Sequence, residues 1–163
     1  MIRKIEIERF SLIASKPFDD VVAAINGGIG HPDMAELRNS TQKTRSAAEL
    51  ESTIEKAVGK TGLMLFAAFD QGAIISKSTG REKSRIIRLL IGNPLIMKEI
   101  AKHVPDAGSY APVTVLVDER TDGVHLSYDR MASLLAPYEN ASALEVARNL
   151  DTKVEDLLRR AAA

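Results

Sequence analysis

Alternating charged and aliphatic residues open the chain, and this alternation is typical of a β-strand with one buried face. Ile5, Ile7 and Phe10 stand among charged neighbours, which predicts a strand from residue 4 to residue 14. Over residues 17–29 the spacing becomes helical, with apolar residues on one face and two aspartates in the first turn. We therefore predict a first strand followed by an amphipathic helix that packs on a sheet.

Two later stretches show no clear period. Residues 31–45 are polar and rich in turn formers, so we expect a loop or a short irregular helix, and residues 129–140 are also expected to be irregular. Between them, Ser46 and Glu49 have the spacing of a capping box. Apolar residues four apart follow, which predicts a second helix that ends near residue 58.

Apolar runs of strand length come next. Residues 63–69 form a continuous apolar run and predict a buried strand. We expect a turn at 70–72 and a short partner strand at 73–75. Residues 77–84 are polar and predict a mobile connection, and residues 85–91 predict another strand.

The second half of the chain predicts a helix, a hairpin and a long final helix. A Gly-Asn-Pro sequence at residues 92–94 ends the preceding strand and begins a helix over 95–103. Strands at 113–117 and 124–128 are joined by a short turn, as in a β-hairpin. From residue 142 onward, the longest amphipathic pattern in the chain predicts a helix.

The order of these elements indicates the fold class. Strands cluster as hairpin-like neighbours instead of alternating strictly with helices, which favours an α+β fold with a mainly antiparallel sheet over a doubly wound fold. The chain has 163 residues, the length of one domain, and no internal repeat or linker divides it. We therefore predict a single domain over residues 1–163, with helices on one face of the sheet.

Composition argues against several classes of function. Lys and Arg number 22 and Asp and Glu number 22, and this balance argues against nucleic acid or an anionic membrane as the main partner. The absence of cysteine excludes disulfides, thiolate metal sites and cysteine nucleophiles. The charged N-terminal residues do not fit a secretory signal, and no apolar run reaches the roughly 20 residues of a membrane span. We expect a cytoplasmic protein.

The sequence contains no recognisable motif for a metal site, a cofactor site or nucleophilic catalysis. His31, His103 and His125 are far apart, and none has a histidine or carboxylate at metal-ligand spacing. No Gly-Lys-Ser/Thr phosphate loop, dinucleotide fingerprint or nucleophile elbow occurs in its required context. Residues 77–85 place basic and hydroxyl side chains beside a glycine, and we interpret them as a solvated connection rather than a phosphate site. The sequence therefore predicts no metal and no cofactor.

Polar side chains concentrate at the ends of the later strands. Asn93 precedes a helix-initiating proline, Tyr110 stands at a strand entrance, and Tyr128, Asp129 and Arg130 follow one another at a strand end. In one interpretation Asn93 caps its helix, Asp129 pairs with Arg130, and the tyrosines cover a sheet edge. In the other interpretation the five residues line a ligand pocket beside a helix N-terminus. Both interpretations stay open.

The same segments resemble a known family. They are Gly92-Asn93-Pro94-Leu95, the segment from Asp106 to Pro112, and Ser127-Tyr128-Asp129-Arg130 followed by Ser133-Leu134-Leu135. In order and spacing they are similar to the bacterial family called domain of unknown function 302. The resemblance implies a fold like that of the TATA-binding protein, in the order β-α-β(4)-α with an extra helix after the first, and often a homodimer. It does not imply DNA binding, because a fold does not carry a function.

The resemblance supplies no reaction. Some members of the family carry cysteines at two of these places, one before the Asn-Pro pair and one beside the proline that precedes the hairpin. Gly92 and Ala111 occupy those places in this chain, so the thiol or metal chemistry of such members does not transfer.

Three functional hypotheses follow. The first is a non-enzymatic, homodimeric domain that binds a small polar or anionic ligand in a cleft at the strand ends. Asn93, Tyr110, Tyr128, Asp129 and Arg130 would form its walls, with Arg130 as charge partner and the tyrosines as stacking surfaces. The second is an enzyme with Asp129 as general base and a tyrosine as proton donor. The third is a structural or regulatory domain whose C-terminal helix meets another chain.

Overall fold

The computed structural model describes residues 2–80 and 85–163 and contains a five-stranded sheet with helices. The strands are β1 (Arg9–Ala14), β2 (Met64–Asp70), β3 (Ile86–Gly92), β4 (Val113–Arg120) and β5 (Gly123–Asp129). The α-helices are α1 (Phe18–Gly28), α2 (Met34–Lys43), α3 (Ala47–Glu55), α4 (Gln71–Thr79), α5 (Pro94–Ala101), α6 (Met131–Leu135) and α7 (Ala141–Ala162). Short 3₁₀ segments lie at Pro105–Ser109 and Ala136–Tyr138.

Neighbouring strands of the sheet run antiparallel in the order β1-β5-β4-β3-β2. β4 and β5 form the hairpin that the sequence predicts, with Arg120 opposite Gly123. β1 starts later than expected and pairs with β5, so that Arg9 lies directly opposite Asp129. The predicted α+β class with an antiparallel sheet is confirmed.

Helices cover one face of the sheet and leave the other face open. Successive side chains of each strand point alternately to these two faces. Ile91, Val115 and Leu126 point to the covered face and are fully buried. α7 contacts α1, α5, α6 and β1, which places the long final helix at the centre of the helical layer. On the opposite face Leu116 and Ser127 stay partly exposed. The hydrophobic core therefore lies on one side of the sheet.

The apolar stripe of α7 belongs to this core. Leu150, Val154, Leu157 and Leu158 are buried against the sheet and the other helices. Since these side chains are covered within one chain, α7 does not offer the free apolar face that the protein-interaction hypothesis requires.

The segment after β2 is a helix, and the strand expected at residues 73–75 is wrong. The Asp70 carboxylate accepts a hydrogen bond from the Ala73 amide (2.8 Å) and so caps the first turn of α4. Gly80 follows the helix in the left-handed conformation (φ 65°), which glycine adopts without strain. These local caps favour a helix where a short apolar run alone fits either structure.

Both stretches without a clear period also contain helices. α2 begins after Asp33, whose carboxylate accepts a hydrogen bond from the Glu36 amide (2.8 Å), and α6 follows β5 directly. The predicted cap at Ser46 is confirmed, because its hydroxyl accepts a hydrogen bond from the Glu49 amide (3.2 Å). The connection at residues 77–85 lies partly outside the described residues. In the described ranges, no helix combines the length and the apolar character needed to cross a membrane.

Candidate functional site

A small cavity lies at one end of the sheet, where three segments of the chain meet. β3 ends there, β4 begins there and the chain leaves β5 there, because these neighbouring strands are antiparallel. The cavity has a volume of about 90 Å³. Its lining residues are Phe66, Gly92, Asn93, Pro94, Ile96, Met97, Ile100, Ala111, Pro112, Val113, Met131 and Leu150.

Small residues leave this space open. Gly92 and Ala111, from two of the segments that resemble the family, both line the cavity. A Cβ atom added to Gly92 would lie 3.6 Å from Phe66 Cε2 and 3.6 Å from Pro112 Cβ, which are ordinary contact distances. An alanine at position 92 would therefore reduce the cavity without a forced clash.

Asn93 forms part of the wall, and its side chain is engaged within the protein. Its Oδ1 accepts a hydrogen bond from the Leu95 amide (2.8 Å), which confirms the predicted cap of α5. Its Nδ2 donates to the Gly62 carbonyl oxygen (2.9 Å). The other wall residues are apolar, so the cavity offers apolar contacts and no charged group.

Tyr128 lies in the core and is 1% exposed, so its ring offers no free face for a ligand. The hydroxyl donates to Asp151 Oδ1 (2.6 Å) and accepts a hydrogen bond from the Met131 amide (3.3 Å). Burial and the nearby Asp151 carboxylate raise the pKa of Tyr128 well above its usual range. The residue is therefore a neutral donor to Asp151 at physiological pH.

Asp151, on α7, is a buried carboxylate that sequence reasoning missed. Besides the Tyr128 hydroxyl it accepts hydrogen bonds from the amides of Met131 (2.7 Å) and Ala132 (3.1 Å). The N-cap residue of α6, Arg130, makes no side-chain cap, so Asp151 satisfies the first amides of α6 from another helix. Burial raises the pKa of Asp151, and these hydrogen bonds oppose the rise. The sequence signal was a lone carboxylate on the apolar stripe of α7.

Arg130 is surrounded by carboxylates of the protein. Its Nη1 lies 2.5 Å from Glu8 Oε2, and its Nε lies 3.0 Å from Glu155 Oε1. Asp151 Oδ2 is 3.8 Å from the same Nε. These partners neutralise the guanidinium, and the geometry gives no support to Arg130 as the charge partner of an anionic ligand.

Asp129 pairs with Arg9, and the pair expected between Asp129 and Arg130 is wrong. Arg9 donates from Nε to Asp129 Oδ1 (2.6 Å) and from Nη2 to Oδ2 (2.9 Å). Consecutive residues of an extended chain point to opposite sides, which separates Asp129 on the open face from its sequence neighbour. Because the Arg9 guanidinium engages both oxygens of the Asp129 carboxylate, the geometry gives no support to the acid–base alternative.

Tyr110 contacts another tyrosine rather than the cavity. Its hydroxyl lies 3.3 Å from the hydroxyl of Tyr138. The Arg3 guanidinium stacks over the Tyr138 ring, 4.5 Å from the ring centroid. The hydrogen bond with Tyr110, together with burial, raises the pKa of Tyr138 to about 12.

The structure thus separates the five predicted site residues. Asn93 lines the strand-end cavity, whereas Tyr110, Tyr128 and Arg130 make the internal contacts described above. Asp129 borders a different groove, on the open face of the sheet. Within residues 2–80 and 85–163, histidines and carboxylates form no group of three that could hold a metal ion.

The fold and the cavity define a class of small α+β domains in which a five-stranded antiparallel sheet carries helices on one face. The chain belongs to the family described as Domain of unknown function DUF302, whose profile matches residues 39–161. The resemblance found from the three sequence segments is therefore confirmed.

A solved structure supports the same assignment of the fold. It is the crystal structure of an uncharacterized conserved protein DUF302 from Bacillus stearothermophilus, with a TM-score of 0.66 and 10% sequence identity. The alignment covers 94% of this chain and 97% of that chain. At this identity the similarity establishes the fold alone. No curated protein matches the chain.

Proposed function

We propose that this protein is a non-enzymatic domain that binds a small molecule through an apolar group in the strand-end cavity. The observation that carries the proposal is the convergence of three chain segments on one preformed cavity. One lining residue from each segment is Gly92, Ala111 and Met131. Gly92 and Ala111 lie within stretches that resemble the family, and Met131 directly follows such a stretch. Cavities of this kind, largely apolar and placed at the ends of elements, are common ligand sites.

The walls determine the chemistry of the ligand. None of the described residues that line the cavity has a charged side chain, so the polar or anionic ligand expected from the sequence gives way here to an apolar group. The volume of about 90 Å³ is smaller than the roughly 150 Å³ of an apolar cavity that takes up benzene. Met97, a flexible wall residue, is 36% exposed and marks the side that faces solvent. Because the cavity opens to solvent beside Met97, part of a ring or a short branched chain is the expected occupant.

Native mass spectrometry of the protein purified from its own host tests this proposal. We expect a small molecule bound at one per chain in the wild type. Gly92→Ala should lose it, because the added Cβ projects toward Phe66 and Pro112 and narrows the cavity. Gly108→Ala is the matched control, since a Cβ there meets nothing within 4 Å. A molecule retained equally by Gly92→Ala would contradict the proposed site, and a protein without any bound molecule would shift support to a structural role.

The homodimer expected from the family stays a prediction, and the same native spectrum tests it. A dimer would appear at twice the chain mass of 17.7 kDa. Because the apolar stripe of α7 is core, a dimer contact must use another surface. The cytoplasmic location also stays a prediction.

A further inference from the structure

The open face of the sheet carries a groove that is separate from the strand-end cavity. It has a volume of about 260 Å³, and Gln71, Arg88, Thr114, Leu116 and Ser127 line much of it. In the strand register, Arg88 lies opposite Leu116, and Leu116 lies opposite Ser127. Because neighbouring strands are about 5 Å apart, these three side chains form one row across the sheet.

Arg88 carries a positive charge that no described carboxylate neutralises. Its Nη2 donates to Thr114 Oγ1 (3.2 Å), which is a neutral acceptor. Arg9, at the border of the same groove, is instead held on two nitrogens by Asp129. The groove therefore has a net positive charge, and that charge is located at Arg88.

Neutral hydrogen-bonding groups and an apolar surface surround this charge. The side chains of Gln71 and Ser127 have no hydrogen-bond partner in the described part of the protein. The Thr114 hydroxyl accepts from Arg88 and keeps its own O–H available as a donor. Leu116, between Arg88 and Ser127, provides an apolar floor. A carboxylate would meet the guanidinium while an apolar body rests on Leu116.

We infer that this groove binds a small monocarboxylate with an apolar body, and that Arg88 is its charge partner. The volume of about 260 Å³ lies just below the roughly 300–1,000 Å³ of sites for drug-sized ligands, which favours a small metabolite. A single carboxylate is favoured over a dianion, because among the described lining residues Arg88 is the one guanidinium that no carboxylate neutralises. The groove and the strand-end cavity share no lining residue, so the monocarboxylate site stands independently of the proposed apolar site.

Titration of the protein with benzoate, followed by ¹H–¹⁵N NMR, tests the site. We expect saturable shifts of the backbone amides of Arg88, Thr114 and Ser127. Arg88→Gln should weaken benzoate binding about tenfold or more, because it removes the charge-assisted contact. Arg88→Lys keeps the positive charge but lacks the planar guanidinium, so its affinity for benzoate should lie between those of the wild type and Arg88→Gln. Arg148→Gln, an exposed position on α7, should bind benzoate like the wild type.

Two further probes test the selectivity of the groove. Benzyl alcohol, a neutral analogue, should bind at the groove amides about tenfold more weakly than benzoate, and Gly92→Ala should bind benzoate like the wild type. Equal binding of benzoate by Arg88→Gln and wild type would overturn the inference. Equal binding of inorganic phosphate and benzoate at these amides would also overturn it, since the apolar floor would then have no role.

Discussion

The Asp151 carboxylate joins three parts of the protein that are separate in sequence. It lies on α7, accepts a hydrogen bond from the Tyr128 hydroxyl of β5, and accepts two amide hydrogen bonds from the start of α6. A buried carboxylate without partners is strongly unfavourable, and these donors make its burial tolerable. Its role is structural, because it holds α6 against the helical layer beside the strand-end cavity.

Substitution of Asp151 by asparagine should destabilise the protein. The side-chain amide introduced by Asp151→Asn would present N–H donors to the Ala132 amide and to Arg130, where the carboxylate now accepts. We expect Asp151→Asn to lower the free energy of unfolding by about 1–3 kcal/mol at pH 7, measured by urea denaturation. Asp156→Asn, at an exposed position of the same helix, should change it by less than about 0.5 kcal/mol. Equal stability of Asp151→Asn and wild type would contradict this role.

The difference between wild type and Asp151→Asn should also depend on pH. Because burial raises the pKa of Asp151 in the folded state above its ordinary value of 3.8, the folded protein binds the proton more tightly than the unfolded chain. The wild type therefore gains stability from this group as pH falls from above the raised pKa toward 3.8. Urea denaturation at pH 7 and pH 4.5 should show that the difference in free energy of unfolding between wild type and Asp151→Asn is larger at pH 4.5. A narrower difference would show that Arg130 and the hydrogen bonds lower the pKa instead.

At the scale of secondary-structure elements, Asn93 has two measurable roles in α5. Its Oδ1 caps the helix and its Nδ2 links the cap to the Gly62 carbonyl. We expect Asn93→Ala to lower the free energy of unfolding by about 1–2 kcal/mol, since the cap and the link are both lost. Asn93→Ser keeps an oxygen that can accept the helix amide and places no carboxylate against the Gly62 carbonyl, so it should lower the free energy of unfolding less than Asn93→Ala. Thermal and urea denaturation of the two variants check this order, and an alanine variant as stable as wild type would refute the capping role.

Elements with local signals were predictable from the sequence, and elements defined by distant contacts were less so. The β4–β5 hairpin, α7 and the Asn93 cap follow from spacing and turn chemistry within a few residues. α4 was misassigned because residues 73–75 form an apolar run too short to distinguish strand from helix. The Asp129 pairing was missed because Arg9 becomes its neighbour only when β1 adds to the sheet beside β5.

The candidate site shows the same limit. The sequence predicted a cleft at the strand ends from the clustering of five polar residues there, and of these five residues Asn93 alone lines the cavity. The chemistry of the cavity did not follow, because which side chains face it depends on the packing of α5 and α7 on the sheet. Arg130 illustrates this point: its partners Glu8 and Glu155 lie on parts of the chain that only the folded protein brings together.

At the scale of the whole molecule, the sheet separates two surfaces with different chemistry. The covered face ends in an apolar cavity of about 90 Å³, and the open face carries a polar groove of about 260 Å³. The two proposals therefore assign an apolar group and a carboxylate to separate sites on the molecule. Because the two linings share no residue, we expect Gly92→Ala to impair the cavity alone and Arg88→Gln to impair the groove alone.

The most direct test of the strand-end site is a benzene titration of protein labelled with ¹³C at the methionine methyl groups. Met97 and Met131 line the cavity, and Met34, on α2, provides an internal reference. We expect saturable shifts of the Met97 and Met131 methyl signals and an unchanged Met34 signal. Benzene should bind at least about tenfold more weakly to Gly92→Ala than to Gly108→Ala. Equal shifts of all three methyl groups, or equal affinity of the two glycine variants, would contradict the strand-end site.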